Sequence, residues 1–149
     1  MRIHGEFQYV GFWPRMGAAL IDTVIVSTII FPILFAVYGK EYFLGGALVS
    51  GYLDTLLNYV FPTIAVLIFW NYKSATPGKI ALKMIIVDAR TGKAPSKGQL
   101  IGRYFAYYLS LLPLGLGFLW IAWDKRKQGW HDKLAGTVVI RHQRHHETN

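Results

Sequence analysis

The chain has 149 residues, of which 53% are hydrophobic and 15% aromatic, while only 16% are charged. About a quarter of the residues in soluble domains are charged, so this composition favours a membrane protein. The absence of cysteine excludes disulfides and thiolate metal sites. The net charge of +8 lies mostly beside apolar segments, which indicates membrane topology and anionic lipid headgroups, not nucleic acid, as its cause.

The first apolar segment runs from Gly17 to Tyr38 with a single charge, Asp22. As a helix it covers about 33 Å, enough to cross the hydrocarbon core of a bilayer. Arg15 precedes Asp22 by seven residues, or two helical turns, so their side chains share one face. An acid inside a span is costly, and we therefore expect Asp22 to face protein or water and to have a partner.

The second apolar segment, Leu56 to Tyr72, is close to the lower length limit for a span. We predict an antiparallel pair of transmembrane helices at about 16–38 and 55–72, joined by residues 39–54. The next segment, 73–99, carries six basic residues against one acid. This bias predicts a cytoplasmic loop, which puts residues 39–54 outside and the N-terminus inside.

The third apolar segment, 100–123, is interrupted by Pro113, Gly115 and Gly117. The tail that follows, 124–149, holds six basic residues against three acids, which again predicts the cytoplasmic side. We interpret the third segment as a helical hairpin or re-entrant segment broken at Pro113–Gly117. A plain third span with an external tail is the alternative.

Two stretches outside the spans are predicted to be extended. Residues 83–88 are β-rich, and Thr137–Ile140 follows a short amphipathic helix that ends at Gly136. We predict that the two stretches pair as a small β element on the cytoplasmic side. The expected fold is therefore an all-α integral membrane protein with this small addition, arranged as a single domain over residues 1–149.

One face of the third segment is polar, with Gln99, Arg103, Tyr107 and Ser110 at helical spacing. Arg103 is the candidate to pair with Asp22, since buried charges are normally paired. Alternatively, Arg103 lies near the membrane surface and extends its guanidinium to the headgroups.

Three motifs together resemble the RDD family, in order along the chain: RMGAALID at Arg15–Asp22, SATPGKIALKMIIVDARTG after the second span, and QGWHDKLAGTVVI near the end. That family comprises small, mostly bacterial, multi-pass membrane proteins named for one arginine and two aspartates. The resemblance covers roughly residues 10–141. It implies a signature of Arg15, Asp22 and Asp132, a bacterial inner-membrane location and a role in transport. The loop signature it implies is Thr76, Pro77, Gly78 and Lys79.

Each of these residues has a structural alternative. Asp22 either locks helix packing or forms an ion or proton site, and Arg15 is either functional or a topology anchor. Asp132 either completes a surface helix or contacts Arg15. The Thr76–Lys79 stretch lacks the spacing of a phosphate loop, so we interpret it as a turn. The tail histidines are expected to be solvated and not to bind metal; they are His142, His145 and His146.

No catalytic constellation, cofactor fingerprint or metal spacing is found in the sequence, and we expect no enzyme activity. The function predicted first is transport of a small cation or proton along a polar path lined by Asp22, Arg103 and Asp132. The alternative is a non-transporting accessory or scaffold protein that docks a partner through its charged face. The expected partners are the lipid bilayer, anionic headgroups at the cytoplasmic face and further copies of the chain.

Overall fold

The computed structural model describes residues 2–3, 7–44 and 51–142. Two long helices form its framework. Helix α1 spans Phe12–Tyr38, and the second long helix spans Tyr52–Lys73. Both are long and apolar enough to cross a membrane, as predicted. A short helix α2, Lys40–Leu44, follows α1.

The second long helix has an irregular start. It begins as α3, Tyr52–Thr55, passes through a π-helical stretch at Leu56–Val60 and continues as α4, Phe61–Lys73. A π-helical stretch inserts extra backbone into an α-helix and is frequent at functional sites. Residues 45–50 of the predicted outer loop lie outside the described residues, as do the tail histidines His145 and His146 and the side chain of His142.

The third apolar segment is broken, as predicted. Helix α6, Lys97–Leu111, and helix α7, Leu116–Leu119, with its 3₁₀ extension Trp120–Ala122, meet at 111°. Pro113 lacks an N–H, and Leu114 and Gly115 adopt left-handed φ angles of 55° and 78°. These three residues turn the chain back within four positions.

Strands from three distant parts of the chain form one antiparallel sheet. They are β1 Arg2–Ile3, β2 Phe7–Tyr9, β3 Met84–Asp88 and β4 Thr137–His142, and their order in the sheet is β1-β2-β4-β3. The predicted pairing of β3 with β4 is confirmed, with Ile86 opposite Val139. The contribution of the N-terminal arm, in which Tyr9 lies opposite Ile140, was not predicted.

The sheet decides between the two topologies considered for the third segment. Since the N-terminal arm, the basic loop and the tail hydrogen-bond to one another, all three lie at the same end of the long helices. A plain third span would separate the tail from the other two, so that alternative is wrong. We call the end of the molecule that carries the sheet the sheet end, and the opposite end, near Tyr38 and Tyr52, the far end.

Two short helices lie between the sheet and the longer helices α1 and α6. Helix α5, Pro77–Ala81, packs on α1, and helix α8, Trp130–Ala135, packs on α6. Helix α8 ends at Gly136 in the left-handed conformation, as predicted. The apolar core joins these elements and consists of buried side chains, which are Val10, Ala18, Trp70, Met84, Ile86, Leu100 and Val139.

Candidate functional site

Asp132 is the centre of a buried ion cluster at the sheet end. It is fully buried in the first turn of α8. Its Oδ2 accepts hydrogen bonds from Arg15 Nη1 at 2.5 Å and from the Gly129 backbone N–H at 3.0 Å, and its Oδ1 accepts one from Arg103 Nη1. Burial alone would raise the pKa of Asp132, but the guanidinium groups of Arg103 and Arg15 hold it well below its usual range.

Arg103 projects from α6 into the same cluster and is fully buried. Besides Asp132, its Nη1 donates to Thr137 Oγ1 at 2.6 Å, and its guanidinium lies 5.5 Å from the centre of the Trp70 ring. The predicted pairing of Arg103 with Asp22 is therefore wrong, because α8 presents Asp132 to this face of α6. The alternative, in which Arg103 extends to the headgroups, is also wrong, since none of its surface is exposed.

Arg15 joins the start of α1 to the tail. Its Nε donates to the Val10 carbonyl at 3.0 Å, and its Nη2 donates to the Lys127 carbonyl at 2.5 Å. The contact between Arg15 and Asp132, one of the two alternatives for Asp132, is confirmed at 2.5 Å. Three of the five N–H groups of this guanidinium are thus used, and they join Val10 near the start of the chain to Lys127 and Asp132 more than a hundred residues later.

Asp22 lies outside this cluster and binds the loop signature. Its Oδ2 accepts a hydrogen bond from Thr76 Oγ1 at 2.5 Å, and its Oδ1 accepts one from the Gly78 backbone N–H at 2.7 Å. A Cβ atom at Gly78 would lie 2.1 Å from the Ala18 carbonyl oxygen, so only glycine fits this contact. The Thr76–Lys79 stretch, predicted to be a turn, begins α5 with Pro77 at its first position.

His131, which the sequence analysis did not single out, packs beside the cluster. Its ring stacks on Tyr107 with 4.3 Å between ring centres, and its backbone N–H donates to Ser110 Oγ at 3.1 Å. Burial lowers the pKa of His131 to about 3, so the ring is neutral at neutral pH. The polar stripe on α6 could have indicated a residue such as His131, because the half-buried Tyr107 and the buried Ser110 require polar partners from another part of the chain.

A second polar cluster lies at the far end and was also missed. Asp54 is fully buried there and accepts hydrogen bonds from the Tyr42 hydroxyl and from Asn58 Nδ2, the latter at 2.6 Å. The spacing of four between Asp54 and Asn58, at the start of an apolar segment, was a usable signal. Across residues 2–3, 7–44 and 51–142, no three His, Asp or Glu side chains are grouped to hold a metal.

The sequence profile of the RDD family matches residues 9–136. The chain belongs to the RDD family. The match covers both long helices, the loop signature and the Arg15–Asp132 pair, so it includes all of the ion cluster. No solved structure matches the chain.

Three relatives show what this chain is similar to. The uncharacterized protein YxaI of Bacillus subtilis is 34% identical over 148 residues, covering 87% of this chain and 95% of the relative. An uncharacterized protein of Rickettsia prowazekii is 47% identical over 73 residues, covering 49% of this chain and 40% of the relative. A proline-rich antigen homolog of Mycobacterium tuberculosis is 30% identical over 77 residues, covering 48% of this chain and 32% of the relative. In the last two proteins, the match spans less than half of the relative's length.

Proposed function

We propose that this RDD protein is a membrane scaffold or accessory protein that docks an acidic partner on the sheet side of the bilayer. One observation carries the proposal: both oxygens of each signature carboxylate are already occupied by donors from the protein itself. Asp22 accepts from Thr76 and Gly78, and Asp132 accepts from two arginines. To carry a cation or proton through a transport cycle, a carboxylate must be able to release the hydrogen-bond donors that hold it.

The charges around the signature also oppose a cation path at the sheet end. The cavity beside the cluster is lined by Arg15 and Lys79. Two positive groups at such a cavity repel cations, since charge interactions are strong where water is scarce. These contacts support a structural role for the signature, in which it fastens the loop and the tail to α1.

The surface available for docking is basic. Exposed cations occupy the ends of the segments that surround the sheet, and together we call them the basic face. Such a face attracts acidic protein surfaces and anionic headgroups. The residues of the basic face are Lys73, Lys83, Arg90, Lys93, Lys97 and Lys125.

We further propose that the basic face is cytoplasmic and that the protein resides in a bacterial inner membrane. Because the chain lacks cysteine, single cysteines at Lys93 and Lys40 report on the two ends without background. We expect an impermeant thiol reagent to label Lys40→Cys in intact cells and Lys93→Cys only after lysis. Labelling of Lys93→Cys in intact cells would invert the orientation.

The docking proposal is tested by a photo-crosslinking residue placed at Thr91 in the living cell. We expect a discrete adduct that disappears when Arg90, Lys93 and Lys97 are all changed to Gln. The matched control is Lys40→Gln, an exposed cation at the far end, which should leave the adduct intact. An adduct that survives the triple change contradicts docking through the basic face.

Transport of a small cation or proton is the second candidate, and the far-end cluster is the observation that favours it. Asp54 is a buried acid at the start of a spanning helix, beside a π-helical stretch, and buried acids of spanning helices often lie on an ion path. Reconstituted liposomes with an imposed pH gradient and a panel of cations separate the two functions. The scaffold proposal expects no flux above that of empty liposomes. Cation flux that is lost in Asp54→Asn or Asp22→Asn would replace it with transport.

A further inference from the structure

A cavity of about 230 Å³ lies between α1, α5, α6 and α8, next to the ion cluster. Its polar groups belong to Arg15, Lys79, Tyr107 and His131, and the remaining wall is apolar and includes Phe12 and Phe118. Sites that enclose a whole small molecule usually measure about 300–1,000 Å³. This cavity therefore has room for one small polar group or a headgroup, and not for a cofactor.

Lys79 is the unexplained residue of this cavity. Its side chain is buried, with only 9% of the residue exposed, yet its ammonium makes no hydrogen bond or ion pair with the residues that the structure describes. A lysine ammonium carries three donors, and a buried charge is normally paired. The burial lowers the pKa of Lys79, and the neighbouring Arg103 and Arg15 lower it further against the opposing effect of Tyr107 and Asp22.

The charge balance of the surroundings points to a missing anion. Three cations, Arg15, Lys79 and Arg103, are buried around two carboxylates, Asp22 and Asp132. Asp132 is shared by Arg15 and Arg103, and Asp22, although its charge favours the protonated lysine, forms no ion pair with Lys79. The neutral His131 ring adds no negative charge. One positive charge is therefore left without a counter-charge among the described residues.

The opening of the cavity faces the surface that lipid covers. Met16 and Ala19 belong to its lining and are exposed residues of the spanning helix α1. They lie within the first two turns of that helix, close to the sheet and hence at the level of the headgroups. A lipid headgroup reaches the cavity from the side, with its acyl chains along the apolar surface of α1.

We propose that this cavity binds a phosphate oxyanion that pairs with Lys79, and that an anionic phospholipid of the adjoining leaflet supplies it. Two neighbouring residues offer further donors. Arg15 uses only three of its five N–H groups, and the Tyr107 hydroxyl accepts from Arg103, which leaves its own proton free to donate. Such charge-assisted hydrogen bonds are stronger than hydrogen bonds between neutral groups. The site differs from the basic face, whose lysines and arginine are exposed.

The test uses the full chain, purified in a neutral maltoside detergent and stripped of lipid, with bound lipids counted by intact mass spectrometry. Phosphatidylglycerol and phosphatidylcholine are titrated separately, and inorganic phosphate is added as a competitor. We expect one phosphatidylglycerol per chain, bound in preference to phosphatidylcholine. Lys79→Met should weaken that binding by about tenfold or more, since a charge-assisted contact is lost. The matched control Lys93→Gln removes an exposed charge and should change binding by less than about twofold.

The outcomes separate the alternatives. If inorganic phosphate competes with phosphatidylglycerol for binding, the cavity recognises the phosphate group. If inorganic phosphate stabilises the protein and neither lipid is preferred, free phosphate is the ligand and the lipid assignment is wrong. Equal binding of phosphatidylglycerol by the parent and Lys79→Met overturns the proposal. Lys79→Met should melt at or above the parent's temperature without ligand, because it removes an unpaired buried charge. A lower melting temperature with unchanged lipid binding would make Lys79 a structural residue and would also overturn the proposal.

Discussion

At the sheet end, two helices and the tail converge on a fully buried carboxylate, whereas along α1 most apolar side chains remain exposed. Only 11% of the most apolar part of α1 is buried within the protein. Arg15, Arg103 and Asp132 are held by specific hydrogen bonds, while residues such as Phe31 and Val37 are about half exposed. The sheet end is thus specified by directional contacts, and the remainder of α1 depends on lipid or on another protein for its cover.

This difference predicts where the protein tolerates substitution, and the strongest effect should be at Asp132. Asp132→Asn removes the charge that two buried arginines share. Breaking a buried ion pair from one side costs about 3–5 kcal/mol, because the remaining charge is left uncompensated. The measurement is the free energy of unfolding in mixed detergent micelles, followed by tryptophan fluorescence.

The control for that prediction is Asp88→Asn. Asp88 also accepts several hydrogen bonds, from the backbone of Arg90 and Thr91 and from Gln99, but it lies at the surface of the sheet end. We expect a much smaller loss there, because water solvates the site. Equal losses in the two variants would show that burial of Asp132 is not what makes the cluster important.

The second prediction concerns the close contact between α1 and α5. Gly78→Ala places a Cβ against the Ala18 carbonyl and pushes the Gly78 N–H away from Asp22. Overpacking of this kind costs about 3 kcal/mol, measured in the same unfolding experiment. Gly102→Ala is the matched control, since nothing lies within 4 Å of the added atom in α6. It should be neutral or stabilise by up to about 1 kcal/mol, because alanine favours helix.

The third prediction is a pH dependence caused by His131. The folded protein holds this ring neutral down to about pH 3, whereas an unfolded histidine takes up a proton below about pH 6.5. Stability should therefore fall as the pH drops from 6.5, by about 1.4 kcal/mol per pH unit. The buried Asp132 contributes in the same direction only at lower pH, where carboxylates titrate.

The window from pH 6.5 to pH 5 separates the titration of His131 from that of Asp132, whose carboxylate takes up a proton only at lower pH. His131→Asn should be less stable than the parent at pH 7 because it loses the stacking on Tyr107, but its stability should change little across this window. A slope equal to that of the parent would assign the pH dependence to other groups.

The two regions also differ in how much the sequence predicted. Hydropathy located both long helices, and Pro113 with its glycines located the break, because these depend on local composition and backbone chemistry. The β3–β4 pairing followed from strand propensity between turn signals. The N-terminal strand was missed, since three residues, Phe7–Tyr9, carry too little periodicity to be recognised.

The partners within the cluster were harder to predict than its members. The sequence predicts the importance of Arg15, Asp22, Arg103 and Asp132, but it pairs Arg103 with Asp22 because both residues belong to apolar segments. Its actual partner comes 29 residues later, on a short helix whose position depends on the sheet. Spacing within one helix does not reveal contacts between helices. The burial of Lys79 was missed for the same reason, since only the packing of α5 on α1 produces it.

The smallest predicted change in the free energy of unfolding concerns two neighbouring residues of α1, one buried and one exposed. Ile30 is 2% exposed and packs within the protein, whereas Ile29 is 47% exposed. Ile30→Ala should cost about 2 kcal/mol, at the low end of the range for large-to-small changes, because lipid is as apolar as the protein interior and mainly packing is lost. Ile29→Ala should change the free energy of unfolding by less than about 0.5 kcal/mol. Equal costs for the two changes would mean that a second protein surface, such as another copy of the chain, covers Ile29. A cross-link between copies through Ile29→Cys would then distinguish that arrangement from a monomer surrounded by lipid.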